Sequence, residues 1–283
     1  MIVDFHAHIF PSRVKRERDR YLQRDAGFAA LYSSPKAKLA TAEELIDSMD
    51  RDGIAISVVQ GGGSSSHELC VEFNDYILES VARYPKRLVG FTTFQADSLD
   101  AAVAEIERCA RGGAAGIGEL RPENLSVGLG DAAAMVTLAA AIGGSGLPLL
   151  VHASEPVGHV YPGKGTMTPD KLLSFIDCFP GTTVICAHWG GGLPFYAMMP
   201  EVGEALANVY FDTAASPFLY RSEVYRVVAG LVGPERVLFG SDHPLLTQKR
   251  ALDDAAAAGM SDDDLSLVLG GNACRLLGLP DSG

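Results

Sequence analysis

The sequence contains few cysteines, few basic residues and no long uninterrupted apolar run. Its five cysteines are scattered, odd in number and without C-x-x-C spacing, which suits a reducing compartment better than a disulfide framework. Lys and Arg number 23 against 35 Asp and Glu, and the net charge of −12 argues against a nucleic-acid partner. The hydrophobic content of 47% over 283 residues allows a large core. These features favour an enzyme that acts on a small molecule.

The chain also lacks an apparent membrane span and a secretory signal. The most apolar stretch, residues 132–151, is broken by three glycines and Pro148, which predicts a buried helix, a turn and a strand. The first residues enter a strand-like pattern without the basic and apolar regions of a signal peptide, so we expect the mature protein to begin at Met1. Together with the cysteine usage, this predicts a cytoplasmic protein with no membrane partner.

Short runs rich in Val, Ile, Leu and Phe recur along the chain, each followed by a stretch of helical period. This pattern is typical of repeated βα units, and near-continuous apolar runs indicate a parallel sheet covered on both faces. Eight units without a flexible linker favour a single α/β domain over residues 1–283, a closed (β/α)8 TIM barrel, over an open doubly wound sheet. The predicted strands are Ile2–Ile9, Ile54–Gln60, Leu88–Phe94, Gly116–Leu120, Pro148–Ala153, Thr183–His188, Val209–Asp212 and Val237–Asp242.

Helix signals lie between the predicted strands. Thr41-Ala-Glu-Glu44 is a capping box, and it predicts a helix that begins there and ends near Gly53. Further predicted helices cover residues 97–111, 131–142, 169–179, 221–232 and 252–259. The apolar run Leu193–Met199 either packs the barrel or forms the interface of a homodimer, and the sequence leaves both open.

Residues 11–40 form the longest stretch without clear barrel periodicity, and we interpret them as a loop or helical insertion after the first strand. The segment carries eight Lys and Arg against three Asp and Glu. In a barrel the loop after the first strand lies over the active-site face, so the segment is either a cationic lid for an anionic substrate or a solvated helix.

His6 and His8 are two residues apart on the first predicted strand, so their side chains project from the same face. Two neutral imidazole nitrogens favour a metal such as zinc. Two such histidines can also be satisfied structural groups, and their position at the end of the strand strengthens the metal hypothesis.

Other residues of ligand type also stand at the ends of predicted strands, where barrel enzymes keep their chemistry. His152 ends Leu149-Leu-Val-His, His188 ends Val184-Ile-Cys-Ala-His, and Asp242 ends Val237-Leu-Phe-Gly-Ser-Asp. Glu119 closes Gly116-Ile-Gly-Glu in the same way. Each one singly could be structural, but a structural role for all of them together is improbable. We therefore predict a metal centre.

With these motifs the sequence resembles the amidohydrolase superfamily, in particular its amidohydrolase-2 subgroup, which is similar to aminocarboxymuconate-semialdehyde decarboxylase. The resemblance runs from Asp4-Phe-His-Ala-His8 through His152 and Ala187-His-Trp-Gly-Gly191 to Gly240-Ser-Asp-His-Pro244. The closing Gly271-Asn-Ala-Cys-Arg-Leu-Leu-Gly-Leu279 is similar to the last helix of many members.

The resemblance implies a distorted barrel with one or two divalent ions, most simply Zn²⁺. In mononuclear members the matching residues here, His6, His8, His152 and Asp242, would be the ligands, and His188 would polarise or deprotonate water. In binuclear relatives a glutamate at the position of Glu119 bridges two ions, and the counterparts of His152 and His188 hold the second. Here Leu-Arg follows Glu119, so this glutamate could instead pair with Arg121 or orient a ligand histidine.

Asp242 is also the predicted proton shuttle between water and a leaving group, and His188 is the second predicted catalytic residue. Residues that follow the strand ends supply further candidates for substrate contact. These are Arg121, His159, Tyr161, Trp189 and His243.

Three functions compete on this evidence. The leading prediction is metal-dependent hydrolysis of an amide, ester or lactone in a small anionic substrate, because a metal-activated water attacks such bonds directly. The alternative is a zinc-dependent non-oxidative decarboxylase of an unsaturated or aromatic carboxylic acid, since the same subgroup contains such enzymes. The third is a catalytically silent barrel that keeps its metal for structure.

Overall fold

The computed structural model describes residues 1–125 and 130–280. Eight parallel strands follow one another around one sheet in the order of the chain, and each is paired with the next. This order confirms the (β/α)8 barrel and rules out the doubly wound sheet, in which the strand order reverses. The strands are β1 (Val3–His8), β2 (Ile56–Gln60), β3 (Leu88–Thr92), β4 (Gly116–Leu120), β5 (Leu149–Val151), β6 (Val184–Cys186), β7 (Val209–Asp212) and β8 (Val237–Leu238).

The barrel closes between β1 and the segment that follows β8. The N–H of Phe5 donates to the carbonyl of Phe239 at 2.7 Å, and the N–H of His8 donates to the carbonyl of His243 at 2.7 Å. In the opposite direction the N–H of Asp242 donates to the carbonyl of His6 at 2.9 Å. The seam of the barrel therefore lies directly beside His6, His8 and Asp242.

Helices surround the strands, and local sequence signals set their ends. The predicted capping box is present, with the Thr41 side chain accepting from the N–H of Glu44, and that helix ends at Gly53 in a left-handed conformation. The α-helices are Ser12–Arg16, Arg18–Arg24, Ala26–Tyr32, Ala42–Asp52, His67–Arg83, Leu99–Arg111, Ala132–Ser145, Pro169–Ile176, Pro200–Ala205, Ser216–Leu219, Val224–Val232, Gln248–Ala256, Asp262–Ser266 and Asn272–Leu277, with a π-helical turn at Leu267–Gly271.

The apolar core has two main parts. One apolar cluster lies between strands and helices, and includes Val59, Leu149 and Phe211. A second combines residues of six strands with the last helix, and includes Phe5 and Ile185. Within residues 1–125 and 130–280, no helix has the length and apolar character needed to cross a membrane.

Candidate metal centre and active site

The six predicted ligands come together at the carboxyl ends of the strands. His6 and His8 lie on β1 and Glu119 on β4, and the other three lie one to four residues after the ends of β5, β6 and β8. All six are buried, with at most 8% of any residue exposed. Because the carboxyl ends of parallel strands meet at one face of a barrel, residues far apart in sequence form one cluster.

His6 and His8 direct the same ring nitrogen toward the centre of this cluster. Their Nε2 atoms are 3.2 Å apart. At the other side of each ring, Nδ1 of His6 donates to Asp212 Oδ2 at 2.7 Å, and Nδ1 of His8 donates to the carbonyl of Gly61 at 3.0 Å. These acceptors fix the tautomer and leave both Nε2 lone pairs for a metal ion.

Two carboxylates face this pair of nitrogens. Asp242 Oδ1 is 3.2 Å from Nε2 of His8 and 3.8 Å from Nε2 of His6. Glu119 Oε2 is 3.8 and 4.0 Å from the same two atoms. Two imidazole nitrogens and two carboxylate oxygens around one point form a donor set that fits a divalent ion.

The second oxygen of Glu119 faces a different pair of histidines. Oε1 is 2.7 Å from Nδ1 of His152 and 3.3 Å from Nε2 of His188. Nδ1 of His188 donates to the carbonyl of Ala214 at 3.0 Å. Among the described residues, groups that could hold a metal form on each side of Glu119, one with His6 and His8 and one with His152 and His188. The carboxylate thus has the arrangement of a bridge.

Burial and the neighbouring charges have opposite effects on the pKa values of His6 and His188. Burial lowers the pKa of His6, yet its ion pair with Asp212 and the nearby carboxylates raise that pKa to about 10. For His188, burial lowers the pKa, but the hydrogen bond to Glu119 and the charge of Asp242 raise it to about 9. Without metal, the imidazoles of His6 and His188 are therefore protonated on both nitrogens and positively charged at neutral pH.

The pKa values of Asp242, Glu119 and His152 shift in the opposite direction. Burial raises the pKa of Asp242, but hydrogen bonding to His8 and the charge of His6 lower it to about 2. Burial likewise raises the pKa of Glu119, and His152 and the other histidines hold it well below its usual range. Burial and the charge of Arg121 lower the pKa of His152 to about 4. Both carboxylates are therefore ionised, as metal binding requires.

Asp212 is the most important residue that the sequence analysis missed. It is fully buried at the end of β7, and besides accepting from His6 it accepts from the N–H groups of His188 and Ala214 through Oδ1. The prediction did place the end of a strand at this aspartate. Its position at a strand end was the same signal that identified His152 and Asp242.

The cluster forms the floor of a cavity of about 380 Å³. Three predicted substrate-binding residues, Arg121, His159 and Tyr161, line it. The side chain of Arg121 is 10% exposed and donates to the carbonyl of Gly163 at 2.5 Å. Much of the remaining wall is apolar, and comprises Leu31, Ala37, Pro162, Ala215, Phe218, Leu219, Pro244 and Leu245.

The structure does not bring Trp189 and His243 to this cavity. Trp189 is fully buried, donates from Nε1 to Ser216 and packs edge-on against Tyr225. A left-handed backbone at His188 and Trp189, with φ of 56° and 57°, breaks the strand direction and sends the indole into the core. His243 is outside the cavity lining, although it follows Asp242 directly.

The basic segment 11–40 folds as three short helices and a loop, and most of its charges are engaged elsewhere. Arg13 and Arg24 pair with Glu72, and Lys15 pairs with Glu44. Further cations of the segment, Arg16, Arg18 and Arg20, bond to groups within the segment itself. Lys36 and Lys38 remain, and both line the cavity. The segment thus contributes two cations to the site.

A family model described as amidohydrolase matches residues 3–279. This chain belongs to the amidohydrolase family. The match confirms the resemblance that the His-x-His motif and the strand-end residues indicated.

The relatives of this family member include several decarboxylases. It is 21% identical to 2-amino-3-carboxymuconate-6-semialdehyde decarboxylase of Dictyostelium discoideum, over 98% of this chain and 91% of the relative. It is also similar to the solved 5-carboxyvanillate decarboxylase of Sphingomonas paucimobilis (TM-score 0.77, 18% identity, 99% of both chains). The solved dihydroxybenzoic acid decarboxylase of Polaromonas sp., with manganese and 2-nitroresorcinol bound, matches with a TM-score of 0.76 (20% identity, 99% of this chain and 98% of that one).

These relatives contradict the prediction of a hydrolase of amides, esters or lactones, because they are decarboxylases of carboxylic acids. The error has a chemical reason. Hydrolysis and decarboxylation on this scaffold use the same donor types, so a ligand set read from sequence does not separate them.

Proposed function

We propose that this protein is a metal-dependent, non-oxidative decarboxylase of a small aromatic or unsaturated carboxylic acid. The observation that carries the proposal is a single cavity with a metal-type donor cluster at its floor, cationic side chains on its walls and an otherwise largely apolar lining. An anionic group and a flat apolar body are what such a cavity accommodates. The names of the relatives point to the same class of substrate.

His6, His8 and Asp242 are the proposed core of the metal site, with Glu119 facing it through Oε2. His152 and His188 complete the ligand set on the other side of Glu119. A bound divalent ion would supply positive charge that orients and polarises the oxygen atoms of the substrate. The two imidazoles favour zinc, the Polaromonas relative holds manganese, and elemental analysis of the purified protein distinguishes them.

The cations of the cavity are the proposed binding groups for the acid. Arg121 lies beside His152, with Nη1 3.3 Å from Nδ1 of that ring, and so carries its charge to the edge of the cluster. Lys36 and Lys38 carry theirs on the loop that follows residue 32. A carboxylate between these groups gains charge-assisted hydrogen bonds while the ring contacts the apolar wall.

Decarboxylation breaks the bond between the carboxyl carbon and the adjacent carbon, whose electron pair must then accept a proton. Asp242 is the proposed proton shuttle, because one of its oxygens faces the ligand histidines and the other can take a proton from water and deliver it to this carbon. Asp242 is ionised, which suits a ligand that accepts and returns a proton in exchange with water. Carbon dioxide leaves, and the product is the parent compound with hydrogen in place of the carboxyl group.

A panel of hydroxybenzoic and other unsaturated carboxylic acids tests the proposal directly. Metal-loaded protein is incubated with each acid in heavy-oxygen water, and the headspace and products are analysed by mass spectrometry. Release of carbon dioxide, with no solvent oxygen in the organic product, is the expected result. Solvent oxygen in the organic product, without carbon dioxide, would contradict decarboxylation. The matched control is Asp242→Asn, which keeps an oxygen for the metal but no longer carries the proton, and for which we expect little release from metal-loaded protein.

A further inference from the structure

The helix Ala26–Tyr32, which we call the cap helix, forms part of the wall of the cavity. Its last two residues, Leu31 and Tyr32, line the cavity, and Lys36 and Lys38 line it from the loop that follows. The cap helix therefore places an aromatic ring with a hydroxyl group next to the two cations proposed to attract the acid.

Asp25, which precedes the cap helix, fastens it to the loop after β2. Its carboxylate accepts hydrogen bonds from the N–H groups of Phe28 at 2.8 Å, Ser65 at 3.0 Å and Ser66 at 2.9 Å. It also accepts from the hydroxyl groups of Ser65 at 3.0 Å and Ser66 at 2.8 Å. Asp25 is 3% exposed, and these bonds replace the water that its charge has lost.

Glycines bring the cap helix and this loop into direct backbone contact. A Cβ atom at Gly27 would overlap the carbonyl oxygen of Gly63, and one at Gly63 would overlap the side chain of Leu31. A Cβ atom at Gly62 would overlap the hydroxyl oxygen of Tyr32. The loop therefore fits the end of the cap helix only because it lacks side chains at these positions.

The same loop holds a proposed metal ligand. The carbonyl of Gly61 accepts the proton of His8 Nδ1 at 3.0 Å, and Gly62, the next residue, touches Tyr32. The position of Tyr32 is thus tied to the ring of His8 through one short stretch of backbone.

The ring of Tyr32 is fixed, while its hydroxyl group is unpaired. The ring lies 5.2 Å from that of Phe10 and 4.7 Å from that of Phe28, measured between centroids. The hydroxyl has no hydrogen-bond partner among residues 1–125 and 130–280. Burial and the negative charges of Asp242 and Glu119 raise the pKa of Tyr32, so the group keeps its proton and remains a donor.

We propose that Tyr32 is a substrate-binding residue whose hydroxyl donates a hydrogen bond to an oxygen atom of the bound acid, and that Asp25 is a positioning residue that holds it there. The inference rests on the proposed function, because it requires an oxygen-bearing acid in the cavity. Lys36 and Lys38 draw the oxygen atoms of such an acid toward the cap helix. An acid with a hydroxyl or second carboxyl group next to the reacting carboxylate therefore offers Tyr32 an acceptor.

The first test is Tyr32→Phe, which removes the hydroxyl and keeps the packed ring. We expect KM for the best acid of the panel to rise about 10-fold or more, with kcat reduced less, since the variant loses a hydrogen bond to a charged group. Metal content and melting temperature should match the wild type. Tyr196→Phe is the matched control, because that side chain is half exposed and lies outside the lining of this cavity.

The second test separates positioning from simple stabilisation. Asp25→Asn should raise KM in the wild-type background but should add little in the Tyr32→Phe background. Both changes remove the same hydrogen bond, the one from the hydroxyl of Tyr32 to the bound acid. If Asp25→Asn does not fold, Gly62→Ala is used in its place. This variant displaces the hydroxyl of Tyr32 and leaves Asp25 unchanged. Fully additive effects on KM would overturn the positioning role.

The outcomes also separate this inference from the proposed function. An unchanged KM in Tyr32→Phe, in a protein that still releases carbon dioxide, would overturn the role of Tyr32 and leave the decarboxylase proposal intact. No carbon dioxide from the wild type with any acid of the panel would overturn the proposed function, and the role of Tyr32 with it.

Discussion

Asp212 Oδ2 accepts the proton of His6 Nδ1 at 2.7 Å, and both side chains are fully buried. This contact decides which nitrogen of His6 faces the cluster. It also links the orientation of His6 to that of His188, whose N–H donates to the other oxygen of the same carboxylate at 2.9 Å. One carboxylate that faces away from the cavity thus positions two of the six proposed ligands, His6 and His188.

Asp212→Asn should weaken metal binding about 10- to 100-fold, the usual effect of removing a carboxylate that supports a ligand histidine. The amide can still accept a hydrogen bond, but it carries no charge to hold the proton on Nδ1. Competition with a coloured chelator measures the affinity. Asp170→Asn, a change at the protein surface, is the control and should bind like the wild type. Equal affinities in all three proteins would contradict the supporting role of Asp212.

Glu119→Gln should lose about one metal ion per chain relative to the wild type. The expected loss follows from the two oxygens of Glu119, which face separate pairs of histidines at 2.7–4.0 Å. Elemental analysis of both proteins, purified without chelators, gives the number. Glu123→Gln, a change of the same kind nearby, should keep the wild-type content. If Glu119→Gln also keeps it, the carboxylate orients His152 rather than binding metal.

Metal binding should release protons and become tighter as pH rises. In the metal-free fold the pKa of His6 is about 10, against an ordinary value of 6.5. The bound proton therefore stabilises the metal-free fold fully below pH 6.5, and this stabilisation is lost as pH rises through 10. Since the metal must displace this proton, its affinity increases with pH up to about pH 10.

Calorimetry at pH 8 in buffers of different ionisation enthalpy counts the protons released. We expect about one from His6, and a further one where His188 also loses its proton, whose pKa is about 9. Asp212→Asn removes the main cause of the shift at His6 and should reduce the count. A count of zero in the wild type would show that both rings are neutral before metal binds.

Exchange of both cavity lysines, Lys36→Met with Lys38→Met, should raise KM for an anionic acid about 10-fold and make it less sensitive to salt. Methionine keeps much of the apolar stem and removes the charge, so the effect reports the loss of attraction between opposite charges. Steady-state kinetics at low and high salt provide the measurement. Arg20→Met, an exposed cation paired with Glu17, should leave KM unchanged. A neutral substrate analogue should not distinguish the variants.

The sequence predicted most of the fold because each strand is a local apolar run with its own boundaries. All eight strands and the capped helix that starts after Thr41 appear where local patterns indicated. The helix His67–Arg83 is not among the helices predicted from the sequence. Its amphipathic face is weak in sequence and becomes clear only where Phe73 and Ile77 pack into the core.

Candidate site residues were predictable where they stand at the ends of strands. His8, His152 and Asp242 follow that rule, because the topology of a barrel brings all strand ends to one face. Trp189 was misplaced because its left-handed backbone turns it into the core, which no local pattern signals. Tyr32 and Lys36 were not singled out, since their places depend on how Asp25 ties the cap helix to a loop about 40 residues later.

The seam between β1 and the segment after β8 has a consequence for how the protein matures. His6 and His8 emerge first from the ribosome, whereas Asp242, bonded to the carbonyl of His6 across the seam, emerges more than two hundred residues later. A nascent chain that ends before Asp242 contains His6 and His8. It lacks the carboxylate of Asp242 and the backbone hydrogen bonds that join β1 to the segment after β8. The proposed metal site is therefore complete only after the segment that follows β8 has been synthesised.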